Sequence, residues 1–134
     1  MEYFVFKVME HHFAIDAHYV YRIVDDLAVT PVPLLPPCYE GLSYYRGELF
    51  DVVDAGIILG KDRRKTKENT YIILLKWAQH NLGLVPDHIV GLKWIDEESR
   101  EQTHQLVEGI SVEVVTPETV WKSISEMDYG PEKV

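Results

Sequence analysis

The chain has 134 residues, of which 46% are apolar and 26% are charged, and its formal net charge is −9. This size suits one globular domain or two small subdomains that share a core. The acidic balance argues against general nucleic-acid binding, which needs clustered lysine and arginine. The single cysteine, Cys38, excludes an intrachain disulfide.

The first twelve residues, MEYFVFKVMEHH, have no basic region and no apolar run of the kind found in a signal peptide. No apolar stretch elsewhere approaches the roughly 18 residues that cross a membrane. We therefore expect a soluble, cytoplasmic protein that does not insert into the membrane.

The first part of the chain predicts three short strands. Residues 3–9 are rich in aromatic and β-branched side chains and fit a strand buried on most of one face. After a polar break, residues 13–16 predict a second strand, so the pair indicates a hairpin. Residues 19–27 fit either a strand or a single helical turn, and we favour the strand.

Four prolines follow within residues 31–37. Proline fixes φ and has no N–H, so this segment is stiff and extended rather than helical. Residues 39–45 and 48–53 then predict a hairpin that turns at Arg46-Gly47. Glycine adopts the positive φ that tight turns require. Arg46 is thus placed at the tip, where it meets either solvent or a partner.

A change of composition separates this hairpin from the second half of the chain. Residues 55–59, followed by Gly60, predict a short helix with a glycine cap. Residues 61–69, KDRRKTKEN, contain five basic residues and no apolar one. We interpret this segment as an exposed loop; the alternative is a patch that docks an acidic partner.

The second half predicts four more strands, at residues 70–76, 82–85, 89–95 and 106–115. Thr116 as N-cap and Pro117 at the first helical position predict a helix to about residue 124. Many short strands, little helix and several glycine and proline breaks together predict a mainly β, barrel-like fold.

No catalytic pattern is visible among the reactive side chains. Asp16, Asp54 and Asp87 each follow a predicted strand, where a carboxylate commonly caps a turn. The six histidines are scattered without the spacing of a zinc site. Cys38 has no base beside it in the sequence. We predict that the protein is not an enzyme and has no cofactor or metal.

The order of these segments resembles the CheW-like family, the coupling proteins of bacterial chemotaxis arrays. The resemblance covers residues 3 to about 96 and rests on an ordered set of short motifs. In chain order these are residues 4–8, Phe13-Ala14-Ile15-Asp16, Val20-Tyr21-Arg22-Ile23, Thr30-Pro31-Val32-Pro33, Pro36-Pro37, Gly41, Arg46-Gly47, Val52-Val53-Asp54 and Leu82-Gly83-Leu84-Val85-Pro86-Asp87-His88-Ile89.

The chain also departs from the family pattern. Tyr44-Tyr45 stands where the family has Asn-Leu before its Arg-Gly turn. Arg22 reverses the charge of the acid in the family's V-x-E-I motif, and Asp51 replaces a usual proline.

The end of the chain departs as well. The family runs through an extra hairpin from the position of Gly109, whereas here residues 111–115 reach Pro117 directly. This spacing predicts a shortened C-terminal part and leaves open both the completeness of the second barrel and any partner contact that it makes.

The resemblance implies two small SH3-like β-barrels packed together, with short helices. It implies a single CheW-like domain over residues 1–127, with a first barrel centred on 13–60 and a second on 70–115. The N-terminal strand and the C-terminal helix are expected to pack between them, and residues 128–134 to form a flexible tail.

The resemblance further implies a non-catalytic adaptor. Such a protein joins a CheA-like histidine kinase, through the kinase's CheW-like regulatory domain, to the cytoplasmic tips of chemoreceptors, and is recruited to membrane receptor arrays. The positions that correspond to receptor or kinase contacts in the family are Val20, Gly41, Arg46 and Ile89. Arg22 occupies another such position with the opposite charge, and Tyr44, Tyr45 and Gly47 complete the predicted partner-binding set.

An alternative function stays open at this point. Arg22 and the shortened end favour a divergent member that binds only one of the two partners. Such a protein would act in another chemosensory-type pathway, such as surface motility, or as an inhibitor of array assembly.

Overall fold

The structure is a computed structural model, and it describes residues 1–34, 36–59, 71–95 and 104–126. The predicted basic loop, the predicted glycine cap at Gly60 and the predicted flexible tail lie outside the described residues.

Ten strands and two short α-helices make up the regular structure of these described ranges. The strands are β1 (Glu2–Val8), β2 (His11–Asp16), β3 (Val20–Asp25), β4 (Tyr39–Tyr45), β5 (Glu48–Asp54), β6 (Tyr71–Trp77), β7 (His80–Val85), β8 (His88–Trp94), β9 (His104–Val107) and β10 (Ile110–Val115). The helices are α1 (Ala55–Ile58) and α2 (Pro117–Ser125), and a single 3-10 turn spans Ala17–Tyr19.

The strands form two five-stranded sheets with the same internal plan. Sheet A has the order β8-β1-β2-β10-β9, and sheet B has the order β3-β6-β7-β5-β4. Each sheet joins two antiparallel hairpins through one parallel pair, β2 with β10 in sheet A and β5 with β7 in sheet B. A further antiparallel strand then flanks one hairpin, β8 in sheet A and β3 in sheet B. This mainly β architecture confirms the predicted fold class and fits two SH3-like subdomains.

The strands are divided between the sheets differently from the prediction of two barrels centred on 13–60 and 70–115. β2 belongs to sheet A, whereas β6 and β7 belong to sheet B with β3, β4 and β5. The chain therefore interleaves the two sheets. The expected split was wrong because the parallel pairs join strands distant in sequence, and local patterns carry no information about them.

The C-terminal part is more complete than the sequence indicated. The single strand predicted at residues 106–115 is two strands, β9 and β10, with Glu108 and Gly109 at positive φ between them. This hairpin gives sheet A its fourth and fifth strands. The prediction of one strand was wrong, because the Glu-Gly turn lies inside an apolar run that fits one long strand.

A central apolar core lies between the two sheets. β1 contributes Phe4, Phe6 and Val8 from one face, and its other face, with Tyr3 and Val5, enters a separate core within sheet A. β1 is therefore buried on both faces rather than on most of one. Sheet B supplies the opposite wall of the central core: Val53, Ile73, Leu75, Leu82 and Leu84.

The C-terminal helix joins the central core. The Thr116 side chain accepts a hydrogen bond from the Thr119 amide, and Pro117 occupies the first turn, as predicted. Val120 and Ile124 point inward and are buried in the central core. The amphipathic face of α2 thereby covers the junction of the sheets, and its cap sets where that face begins.

Carboxylates at strand ends cap turns, as predicted. Asp54 accepts hydrogen bonds from the amides of Gly56 and Ile57 and so begins α1. Asp16 accepts one from the amide of His18. Asp87 acts at longer range, because it accepts a hydrogen bond of 2.7 Å from the amide of Met9. Asp87 thus ties β8 to the first hairpin of sheet A.

Thr30, the residue before the proline-rich segment, pairs with the outer edge of β4. Thr30 and Leu42 exchange two N–H···O bonds of 2.7 and 2.9 Å. Gly41 makes this approach possible: its φ is +142°, and a Cβ atom built there would overlap the Thr30 carbonyl. Gly41 is buried and serves the fold directly.

We predict that Gly41→Ala destabilises the protein by about 2 kcal/mol or more, because the clash adds to the strain of positive φ. The expected fall in Tm, measured by circular dichroism, is about 5–10 °C. Gly109→Ala is the matched control, because Gly109 has φ +83° but no atom within 4 Å of the added Cβ. Equal Tm values for the two variants would contradict a special role for the Thr30 approach.

Cys38 gives a second test of the fold. Its side chain is fully buried, and this burial raises the pKa of the thiol to about 11, with the Asp54 carboxylate adding to the rise. At about pH 8 only about one thiol in a thousand is then ionised, so we predict alkylation by iodoacetamide at least about 100-fold slower in the folded than in the denatured chain. Mass spectrometry of timed samples measures both rates, and fast labelling of the folded chain would refute the buried position.

Candidate partner-binding site

The β4–β5 hairpin turns on two residues of positive φ, Arg46 at 53° and Gly47 at 82°. Positive φ at both central residues is the pattern of a type I′ turn, whose backbone twist matches the twist of the two strands in a hairpin. Arg46 and Gly47 are both exposed, as the sequence predicted for the tip. The turn is short and fully paired on both sides, so it holds the base of the Arg46 side chain in a defined position.

The strained backbone alone does not distinguish this turn. Ala78 and Gln79 in the β6–β7 hairpin, and Glu108 and Gly109 in the β9–β10 hairpin, also have positive φ. What differs among the three turns is the side chain each presents. Arg46 is the one cation among these turn residues.

The side chains of β4 alternate between the outer surface and the interior of sheet B. Tyr44 is 69% exposed and lies opposite Leu49 of β5, which is 47% exposed. This cross-strand apolar pair stands on the outer face beside the Arg46 turn. A pair of large, exposed apolar side chains next to a cation is the composition enriched at protein interfaces.

Tyr45 turns the other way and packs in the interior of sheet B. Its ring meets the Tyr21 ring edge-on at 6.2 Å, and Tyr21 stacks on Phe50 at 6.3 Å. Tyr21 lies on β3 and Tyr45 on β4, the two edge strands of the sheet. Sheet B therefore curls so that its two edge strands meet through aromatic rings, and we call this contact the closure of sheet B. A register shift between Val20 and Arg22 places Tyr21 for this contact.

Cations cover the rings at this closure. The Arg22 guanidinium lies 5.7 Å from the centre of the Tyr21 ring, and the Arg46 guanidinium lies 5.5 Å from that of Tyr45. The Lys76 ammonium also lies over Tyr21, at 4.7 Å. Such contacts fix long side chains over apolar surface while their charges stay accessible.

Lys76, unlike the two arginines, forms an ion pair with a described residue. Its ammonium binds both carboxylate oxygens of Glu48 at 2.7 Å, and the Asn81 amide donates a further bond to the same carboxylate. The hydrogen bonds from Lys76, followed by its charge, hold the pKa of Glu48 below its usual range. The pair braces β5 against β6 and β7 at the turn end of the β4–β5 hairpin.

The remaining predicted site residues lie elsewhere. Val20 and Ile89 are half-buried and pack against the central core. Gly41 is buried beneath Thr30. The structure thus brings together Arg22, Tyr44, Tyr45, Arg46 and Gly47 around the β4–β5 hairpin. The other three predicted residues, Val20, Gly41 and Ile89, face the interior instead.

Sequence reasoning missed two features, one in each sheet. Tyr21 organises the closure of sheet B, but its aromatic partners come from another hairpin. β8 is an edge strand that exposes Val90, Leu92 and Trp94, the last to 71%. Their alternate spacing was visible in the sequence, yet it gave no indication of which face is covered.

The described ranges contain no group of three or more histidine, cysteine, aspartate or glutamate side chains placed to hold a metal ion. Within the same ranges, no helix has the length and apolar character needed to span a membrane.

Comparison with known proteins agrees with this architecture. Residues 2–124 match the CheW-like domain. The crystal structure of the scaffolding protein TtCheW from Thermoanaerobacter tengcongensis superposes with a TM-score of 0.76 at 22% identity, covering 84% of this chain and 86% of that one. At this identity the likeness establishes the fold alone.

A curated relative is Protein FrzA of Myxococcus xanthus, 26% identical over 94 residues, or 70% of this chain. The matched region spans 59% of the length of that relative. Because the family match covers nearly all of the described residues, the chain belongs to the CheW-like domain family. Members of this family are non-catalytic scaffold and coupling proteins of chemotaxis signalling.

The Glu48–Lys76 contact predicts a pH dependence. Since the pKa of Glu48 is lowered by folding, its stabilisation is present above the unfolded glutamate pKa of about 4.3 and is lost as pH falls through the folded value. Glu48→Gln should therefore lower Tm at about pH 6 and have a much smaller effect near about pH 3. Thermal melts of both proteins across this range measure the difference, and a constant difference would contradict the assignment.

Proposed function

We propose that this chain is a non-catalytic adaptor that binds the CheW-like regulatory domain of a CheA-like histidine kinase and the cytoplasmic tip of a chemoreceptor. The observation that carries the proposal is the exposed Arg46 on a rigid turn beside the apolar Tyr44–Leu49 pair, in a chain of the CheW-like family. An arginine so placed donates several hydrogen bonds in a fixed plane to carboxylates or carbonyls.

Two separate contact regions support binding to two partners. The first is the β4–β5 hairpin with its neighbour β3. The second is the exposed side of β8, with Leu92 and Trp94, next to half-buried Ile89. Edge strands and apolar side chains of this kind are common docking surfaces for peptides and helices. Neither region requires a metal, a cofactor or a reaction.

A second candidate function is a divergent member that binds only one of these partners. Arg22 favours it, since its positive charge lies where the family pattern has an acid. A partner that offers a cation at this place would be repelled. Such a protein would serve another chemosensory-type pathway or inhibit array assembly.

Pull-down with purified components separates these candidates. The full chain is immobilised and offered the kinase regulatory domain and a receptor-tip fragment, each encoded in the same genome. Capture of both supports coupling, and capture of one supports the single-partner function. Capture of neither, by a chain shown to be folded by circular dichroism, contradicts both.

Charge reversal at the turn tests the role of Arg46. Arg46→Glu should weaken capture of at least one partner by about tenfold or more, because it removes a charge-assisted contact and adds repulsion. Its Tm should stay within a few degrees of wild type, since the side chain is exposed and makes no ion pair with any described residue.

The matched control is Lys122→Glu, which makes the same charge change at an exposed position of α2. It should leave capture unchanged. An equal loss of capture in both variants would show that the effect comes from the overall charge of the chain. Unfolding of Arg46→Glu would show that Arg46 is a structural residue.

A further inference from the structure

The two sheets allow an internal comparison, because their hairpins occupy equivalent places. β4–β5 in sheet B and β9–β10 in sheet A each contain an edge strand and the strand that forms the parallel pair. Their turns have almost the same backbone: φ is 53° and 82° at Arg46-Gly47, and 52° and 83° at Glu108-Gly109. The turns therefore differ in chemistry rather than in shape.

Sheet A neutralises its turn from within the chain. Glu108 receives a hydrogen bond of 3.1 Å from Lys93, and Lys93 lies on β8, the opposite edge strand of the same sheet. The ion pair joins the two edges across the opening of sheet A. The turn charge of this hairpin is thus already matched without a partner.

Sheet B places like charges at the corresponding location. The turn carries Arg46, and the opposite edge strand, β3, carries exposed Arg22. Neither guanidinium forms an ion pair with a described residue, and the carboxylate of nearby Glu48 is bound on both oxygens by Lys76. On a chain of net charge −9, these two cations on one closure form a local positive charge that no described side chain balances with an ion pair.

The two guanidiniums are also held in place. Arg22 rests on Tyr21, Tyr21 meets Tyr45, and Tyr45 carries Arg46, so the four side chains form one continuous contact series. We name Tyr21, Arg22, Tyr45 and Arg46 the arginine–tyrosine seam. Ordering the arginines before binding lowers the entropy lost when a ligand arrives. Arginine and tyrosine are also enriched among the side chains that contribute most of the binding energy at protein interfaces.

We propose that the arginine–tyrosine seam binds an acidic segment of a partner protein, with one carboxylate on Arg22 and another on Arg46. The partner's carboxylates neutralise the arginines of sheet B, as Lys93 neutralises Glu108 at the equivalent turn of sheet A. This inference rests on the proposed function in taking the ligand to be a protein, and it adds the chemistry that the partner must present.

The test is an NMR titration of the full chain with a designed helical peptide. The peptide carries glutamates along one face and leucines beside them, and its matched counterpart has every glutamate replaced by glutamine. With the glutamate peptide, the side-chain N–H signals of Arg22 and Arg46 and the ring signals of Tyr21 and Tyr45 should shift together. The shifts should weaken as salt is raised, and the glutamine peptide should produce little change.

Variants make the assignment specific. Arg22→Gln and Arg46→Gln should each weaken binding of the glutamate peptide by about threefold to fivefold, the range expected for one exposed ion pair. Lys122→Gln, a neutralised cation outside the seam, should have no effect. Shifts scattered over the surface, equal binding of the glutamine peptide, or equal weakening by Lys122→Gln would overturn the proposal.

The peptide result and the pull-down fail independently. If the chain captures neither the kinase domain nor the receptor tip but the glutamate peptide binds at the seam, the adaptor function fails and the seam stands. The opposite result has three parts: both partners are captured, the glutamate peptide does not bind at the seam, and Arg22→Gln and Arg46→Gln still capture both partners normally. In that case the seam proposal is wrong and the adaptor function stands.

Discussion

The structure depends on one apolar layer that neither sheet can complete alone. β1 and β2 supply one wall and β5, β6 and β7 supply the other, with α2 covering the junction. These side chains are removed from water only while both sheets are in contact, so each sheet stabilises the other. The turns and the outward-facing side chains of the edge strands do not contribute to this layer. They are the parts of the molecule that can change in charge and shape without loss of the core.

The two barrels use that freedom differently. In sheet A, Lys93 and Glu108 close the opening with an ion pair. In sheet B, the closure consists of aromatic rings, and the arginines lie above them. Exposed ion pairs contribute little to stability, whereas an unmatched cation on a rigid support contributes to recognition. The same strand plan thus presents a neutralised turn in sheet A and a charged turn in sheet B.

Local features of this fold could be predicted from sequence, and long-range ones could not. Positive φ at Gly47, the exposed Arg46 and the start of α2 at Thr116 all follow from a few adjacent residues. The parallel pairs and the allocation of strands depend on contacts far apart in the chain. The Glu108 turn was missed because apolar residues on both sides of it fit one continuous strand. For the site, Arg46 was found by its turn, whereas the contact between Tyr21 and Tyr45 exists only after the sheet has curled.

Interleaving the sheets also sets an order for synthesis. Sheet B is complete once residue 85 has emerged, but sheet A needs β10, which ends at residue 115. β1 and β2 are synthesised first, but their sheet A neighbours β8 and β10 emerge only after most of the chain has been made. Between the emergence of residue 85 and that of residue 115, Phe4, Phe6 and Phe13 have only sheet B to cover them. We expect nascent chains that stall in this window to be the species most dependent on chaperones, because long-range pairing leaves apolar strands uncovered for longest.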